Sequence, residues 1–249
     1  MDLRILVASP LARIIEPALA ARFPGGTVTV ALDRAQVVQA VAGRLRHDIV
    51  ISDLMWNSTD EFVFDGLDVL QILRDADRVS PVVIAGQGHG AERDHLEEVL
   101  AHPEVRGIYQ KSAGHAELFR IVEEVASGAG AGGVPVTRPA LEMPSVPRIH
   151  SYFAHGRGRT AARMAGAIAS GRAVGHASLA EVANVKYDTA AKIGREYLGD
   201  LIWRRGEHVE PTVPVPVVYR WCGEHARYIV SWCRRNGHAD VARRVVGSP

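Results

Sequence analysis

Along the first half of the chain, short apolar runs alternate with amphipathic stretches. Residues 3–9 (LRILVAS) precede a helical pattern over 11–23, 27–32 (TVTVAL) one over 34–46, and 48–54 (DIVISDL) one over 66–77. Residues 81–86 (PVVIAG) then lead into 91–102, and 107–112 (GIYQKS) into 115–128. Apolar runs of this length read as strands of a sheet covered on both faces, and the 3.6-residue period between them supplies the cover. Five such repeats predict an α/β fold with a five-stranded, doubly wound parallel sheet of the flavodoxin-like kind. In that architecture ligands sit at the carboxyl ends of the strands, which here are Ala8–Ser9, Asp53, Gly86–Gln87 and Lys111.

The period then breaks. Residues 127–147 (SGAGAGGVPVTRPALEMPSVP) are dense in Gly and Pro and read as a linker. Beyond it, 159–171 and 178–185 are expected to be short helices and 188–202 a longer one. The prolines of 211–218 (PTVPVPVV) lack amide donors, which predicts an extended connector. A last amphipathic stretch runs from 219 to about 246, with Trp221, Ile229, Trp232 and Val241 among arginines. The organisation expected is a domain over 1–126, a linker over 127–147 and an all-α domain over 148–249.

Charge sharpens that division. The net charge of the 249 residues is only +1. Residues 1–147, however, hold 13 Lys+Arg against 20 Asp+Glu, while 148–249 hold 16 against 8. An acidic half joined to a basic one suggests a nucleic-acid-facing module attached to something that is not one. No apolar run exceeds strand length and no leader pattern opens the chain, so a cytoplasmic protein without membrane contact is expected. Two cysteines, Cys222 and Cys233, lack zinc-knuckle spacing and support no disulfide framework. The eleven histidines contain no HxxxH pair, although His89, His95 and His102 lie close in sequence, and neither a metal nor a cofactor is expected. A nucleophile elbow, a Walker loop and a dinucleotide glycine fingerprint are absent, so an enzyme is not expected.

Motif order and strand placement together make residues 1–126 resemble the receiver domain of response regulators. Asp53, closing DIVISDLMW, matches that family's phosphoacceptor; Lys111, in GIYQKSA, matches its lysine after the fifth strand; and Tyr109 matches its aromatic switch position. The resemblance implies phosphoryl transfer onto a carboxylate, aided by Mg²⁺, an acidic pair after the first strand and a hydroxyl after the fourth. This chain departs from the pattern at each of those aids. Val7, Ala8 and Ser9 stand where the acidic pair belongs, and Gly86 replaces the hydroxyl residue. The expected outcome is a degenerate phosphorylation site of Asp53, Lys111, Gly86, Ala8 and Ser9, in which Asp53 and Lys111 form a charge pair. The loop after Asp53 (LMWNSTDEFVFDG) is unusually long, and its Trp56, Phe62 and Phe64 suggest either a binding surface or a cover packed over the pocket.

In the basic half, residues 178–202 resemble the helix-turn-helix of LuxR/NarL-type regulators, with 159–171 as the domain's first helix. Ala180 takes the small position at the helix crossing, Asn184 the turn because Asn tolerates left-handed angles, and Val185 plugs it. With Ile193 and Tyr197 inward, Lys186, Tyr187, Asp188, Thr189, Lys192 and Arg195 are left for DNA, and Arg172, Arg204 and Arg205 for flanking phosphates. The resemblance fades after Ile202, where a long insertion and tail replace the usual fourth helix. Trp221, Tyr228 and Trp232 of that tail fit core packing, an oligomer interface or an extra DNA contact.

The function expected is DNA-binding transcription regulation by a homodimer, under control of a small-molecule or protein effector or of dimerisation rather than Mg²⁺-dependent phosphorylation. Three rival readings stay open: a signalling adaptor that binds a protein partner, a regulator phosphorylated conventionally at Asp53, and an enzyme using the strand-end cleft.

Overall fold

A computed structural model describes residues 2–56, 64–128 and 146–242. The chain divides into two compact units, Met1–Glu142 and Met143–Pro249. Most of the predicted linker, together with Phe62 and Val246, lies outside the described residues.

The first unit is a five-stranded parallel sheet in the order β2-β1-β3-β4-β5, formed by β1 (Arg4–Ala8), β2 (Thr27–Ala31), β3 (Ile49–Asp53), β4 (Val82–Gly86) and β5 (Val105–Gln110). Its helices are α1 (Ala12–Arg22), α2 (Arg34–Ala42), α3 (Gly66–Asp75), α4 (Arg93–Val99) and α5 (His115–Ala126). Strand side chains alternate between faces. Ile5, Val7, Ile49, Ile51 and Val83 therefore pack under α1 and α5 through Leu19, Phe23, Leu118, Ile121 and Val122. Helices α2, α3 and α4 follow one another on the opposite face.

Two local features bring the chain back to the end of β3. Asp65 caps α3, its carboxylate accepting from the amides of Leu67 and Asp68 while the Asp68 carboxylate accepts from the Asp65 amide. Gly66 follows because the backbone passes hard against Asp53: a Cβ there would lie 2.7 Å from the Asp53 carbonyl oxygen. Of the two open readings of the long loop, its flanks follow the packed one. Trp56 and Phe64 are buried edge-to-face, with ring centroids 4.7 Å apart, and present no exposed aromatic surface.

The second unit is all α-helical in its described residues. A short α6 (Ile149–Phe153) precedes the helix expected first, α7 (Arg157–Ala169), and α8 (His176–Ala183) follows. The predicted single helix over 188–202 is instead α9 (Tyr187–Ala191), a π turn (Ile193–Tyr197) and α10 (Gly199–Arg204). The π turn wraps the Gly194 carbonyl over Gly199, where a Cβ would lie 1.8 Å from that oxygen. The extended connector expected at 211–218 is also corrected. Helix α11 (Val215–Glu224) begins inside it, because Pro216 falls in the first turn, where no intrahelical amide donor is needed. Helices α12 (Ala226–Arg235) and α13 (Ala239–Ala242) complete the unit.

Helix α7 is the hub. Its buried Ala161, Ala162, Ala165 and Ala167 let neighbouring helices approach closely. Trp221, Tyr228 and Trp232 are all core residues here, Trp232 lying edge-to-face on Phe153 at 5.2 Å. Cys222 and Cys233 are fully buried free thiols, and burial pushes the Cys233 thiol up to about 12. Among the described residues no helix is long and apolar enough to cross a membrane.

Candidate functional site

At the carboxyl edge of the sheet, β3 ends on Asp53 and β5 runs into a short turn that begins at Lys111. The Lys111 ammonium lies 2.8 Å from Asp53 Oδ2. Ser9, following β1, donates its hydroxyl to the same oxygen at 2.6 Å and accepts the Leu11 amide at 3.0 Å. Ala8 is buried in β1. Tyr109 is buried as well, its hydroxyl 3.5 Å from the Lys111 carbonyl, and burial raises its phenol above the ordinary range. Asp53, Lys111, Ser9 and Tyr109 thus come together around one small cleft.

Burial dominates the electrostatics of Asp53. Only 6% of the residue is exposed, and desolvation raises its carboxyl above the usual range although the Lys111 charge and the Lys111 and Ser9 hydrogen bonds oppose it. A raised carboxyl costs stability, and the cost develops as pH rises through the ordinary carboxylate range and is complete above the folded value.

Glu92 also acts on Asp53, and nothing in its sequence context marked it. It is buried behind β4, and its carboxylate accepts the amides of Gln87 at 2.9 Å and Gly88 at 2.8 Å. A Cβ on Gly86 would come 3.1 Å from Glu92 Oε2. The amide donors after β4 are therefore occupied by an anion of the protein's own, whose charge helps to raise Asp53.

A hard divalent cation takes about six oxygen ligands. The side chains gathered here do not fit it. Asp53 Oδ2 is held by an ammonium and a hydroxyl, Ala8 has no oxygen to offer, and Glu92 is tied to backbone amides. Among the described residues no group of three His, Cys, Asp or Glu could hold a metal.

In the second unit, Asn184 ends α8 in the left-handed region, with φ 53° and ψ 52°. This turns the chain so that Lys186 precedes α9 as its cap. Ala190 and Ile193 are buried. Lys186, Tyr187, Asp188, Lys192 and Arg195 are exposed, while Thr189 and Tyr197 are half-buried. Tyr187 meets His176 edge-on at 6.1 Å, and Lys192 pairs with Glu196 at 3.4 Å. Arg204 is exposed and pairs with Asp200.

One flanking arginine, Arg205, is placed otherwise than expected. The guanidinium of Arg205 is fully buried, donating to Glu207 and to the Pro147 carbonyl, each at 3.0 Å. Buried, it cannot meet a phosphate; no local period distinguishes it from exposed Arg204, because its burial comes from the later return of 207–221. Arg172 donates to the Asp240 carbonyl. Arg163, which the pattern did not single out, joins the end of α8 to the C-terminal region through the Ala183 carbonyl and Asp240.

No protein-family model matches the chain, and no curated protein matches it. Among solved structures, RcsB from Salmonella enterica serovar Typhimurium bound to promoter P1flhDC in the presence of the phosphomimetic BeF3⁻ is similar over 90% of this chain and 99% of its own, with 12% identity and a TM-score of 0.52. The same protein bound to promoter rprA gives 11% identity and a TM-score of 0.51 over the same shares. The chain therefore has the fold of a receiver-like five-stranded parallel sheet followed by a helical region.

Proposed function

We propose that this chain is a non-enzymatic, DNA-binding transcription regulator of the response-regulator type whose first unit works without Mg²⁺-dependent phosphorylation. The observation that carries the reading is the basic, exposed face of Lys186, Lys192 and Arg195 around α9, set on a turn made by left-handed Asn184. A helix so presented is what a major groove accepts, with side chains near its start reaching base edges and cations reaching phosphates. The fold neighbours named above are complexes with promoter DNA, which supports the same reading. A receiver-like domain over 1–126 and a DNA-binding domain over 148–249, joined by the linker 127–147, act as a cytoplasmic homodimer, whose two-fold axis is mirrored in inverted half-sites.

The test is fluorescence anisotropy with duplexes from the protein's own upstream region. Binding whose affinity falls steeply with salt is expected; salt-independent or absent binding, with a protein partner co-purifying, favours an adaptor instead.

In the first unit, Asp53 Oδ2 already faces an ammonium and a hydroxyl, and the Gln87 and Gly88 amides after β4 already hold Glu92. An incoming phosphoryl group would have to displace that pairing, with no carboxylate cluster among the described residues to hold a metal that would neutralise it. Incubation with acetyl phosphate and Mg²⁺ is therefore expected to leave the intact mass unchanged. An acid-labile phosphoryl adduct that maps to Asp53 restores the conventional reading. Control then falls to an effector, a partner or dimerisation.

A further inference from the structure

We infer that the cleft above Asp53 is a binding site for a compact, uncharged apolar molecule carrying one hydrogen-bond acceptor oxygen. The inference rests on the reading that the first unit is not controlled by phosphoryl transfer.

The cleft has a volume of about 330 Å³, at the small end of the range for ligand sites. Val7 and Ile51 form its strand wall, and Leu11 and Ile14 its helix wall. Leu11 and Ile14 are 56% and 66% exposed. Two large apolar side chains left in water at the mouth of a cleft lose their unfavourable hydration when a ligand covers them.

The polar floor narrows the chemistry. The Ser9 hydroxyl both donates and accepts within the protein, so it has little left to offer. Lys111 carries three donors, and among the described residues the Asp53 carboxylate is the acceptor its ammonium meets. With a quarter of its side chain exposed, 26%, the ammonium leaves donors toward the cleft, and an occupant must bring an acceptor to them. Charge then chooses among acceptors. The Asp53 carboxylate, 2.8 Å away, already balances Lys111, and the Glu92 charge acts on the same site. A carboxylate or phosphate would meet no net positive charge, whereas a ketone, ester or amide oxygen pays no such repulsion.

Methyl NMR of the full chain at pH 8 tests this with three probes of similar shape: acetophenone, its oxygen-free isostere α-methylstyrene, and benzoate. Acetophenone is expected to shift the methyls of Val7, Ile14 and Ile51 and to bind at least about tenfold more tightly than the other two. Lys111→Met keeps the apolar stem and is expected to erase the preference for acetophenone over α-methylstyrene. Shifts scattered away from these methyls, equal affinity for acetophenone and α-methylstyrene in the wild type, tighter binding of benzoate, or a preference that survives Lys111→Met would each overturn the inference. Duplex binding and the acetyl phosphate assay, run on the same preparation, separate the outcomes. Failure of the probes with no phosphoryl adduct removes the ligand site alone, while an adduct at Asp53 removes the reading beneath it.

Discussion

Replacing Lys192 and Arg195 together with alanine is expected to weaken duplex DNA binding by about two orders of magnitude and to flatten the salt dependence by about two units of logarithmic slope. Both side chains are exposed just past the end of α9, Lys192 at its C-cap and Arg195 in the π turn, so each can displace a condensed counterion from the duplex. The Lys192–Glu196 pair that the change removes is solvated, with roughly 40% of each side chain exposed, and exposed pairs of this kind add little to folding. The thermal stability of the double variant should therefore stay within about 0.5 kcal/mol of the parent. Anisotropy at several salt concentrations, with circular dichroism melts as the control, gives the answer. An unchanged salt slope would show that the duplex is held by another surface.

Glu207→Ala should unseat the second unit. The carboxylate accepts from buried Arg205 and from the Trp221 indole, and His225 stands 3.5 Å away. Removing it takes a carboxylate from the guanidinium of Arg205, which has no exposed surface. Breaking a buried ion pair from one side costs about 3–5 kcal/mol, which for a unit of this size lowers the melting temperature by more than about 10 °C. Glu207→Gln keeps the acceptor and loses the charge, so it should fall between the two.

Acid should have a related effect on the parent protein. Burial alone would push the Glu207 carboxyl up, but the hydrogen bonds from His225 and Trp221 and the charge of Arg205 hold it at about 2, against an ordinary value of 4.5. A lowered carboxyl contributes stability that is complete above the ordinary value and is lost as pH falls toward 2. With part of the carboxylate solvated, that contribution is on the order of 2 kcal/mol. Melts of parent and Glu207→Ala should therefore converge across this window. Curves that stay parallel from pH 6 to pH 2 would show that Glu207 is not the group being titrated.

Much of the molecule was legible before any coordinates. Strands β1, β3 and β4 carry near-continuous apolar runs ended by a small or polar residue, and a parallel sheet covered on both faces demands such runs at its centre. That local pattern already put Ala8, Asp53, Gly86 and Lys111 at one edge. The turn at Asn184 was legible for a similar reason: few residues accept the left-handed region, and one of them stood where the helix period broke.

Tertiary structure decided what local pattern does not encode. The π turn at Ile193–Tyr197 packs against a later segment, the Val213 carbonyl lying where a Cβ on Gly194 would be. Arg204 and Arg205 are adjacent and alike in sequence, yet one is exposed and the other buried, because the return of Glu207 and the Pro147 carbonyl supply partners for a charge out of water. Glu92 likewise reads as an ordinary acid of an amphipathic helix until the turn after β4 folds its amides around it. Periodicity records which face of an element meets a core. Which charges lose their water, and what replaces it, is settled by segments distant along the chain, and those contacts leave no period behind.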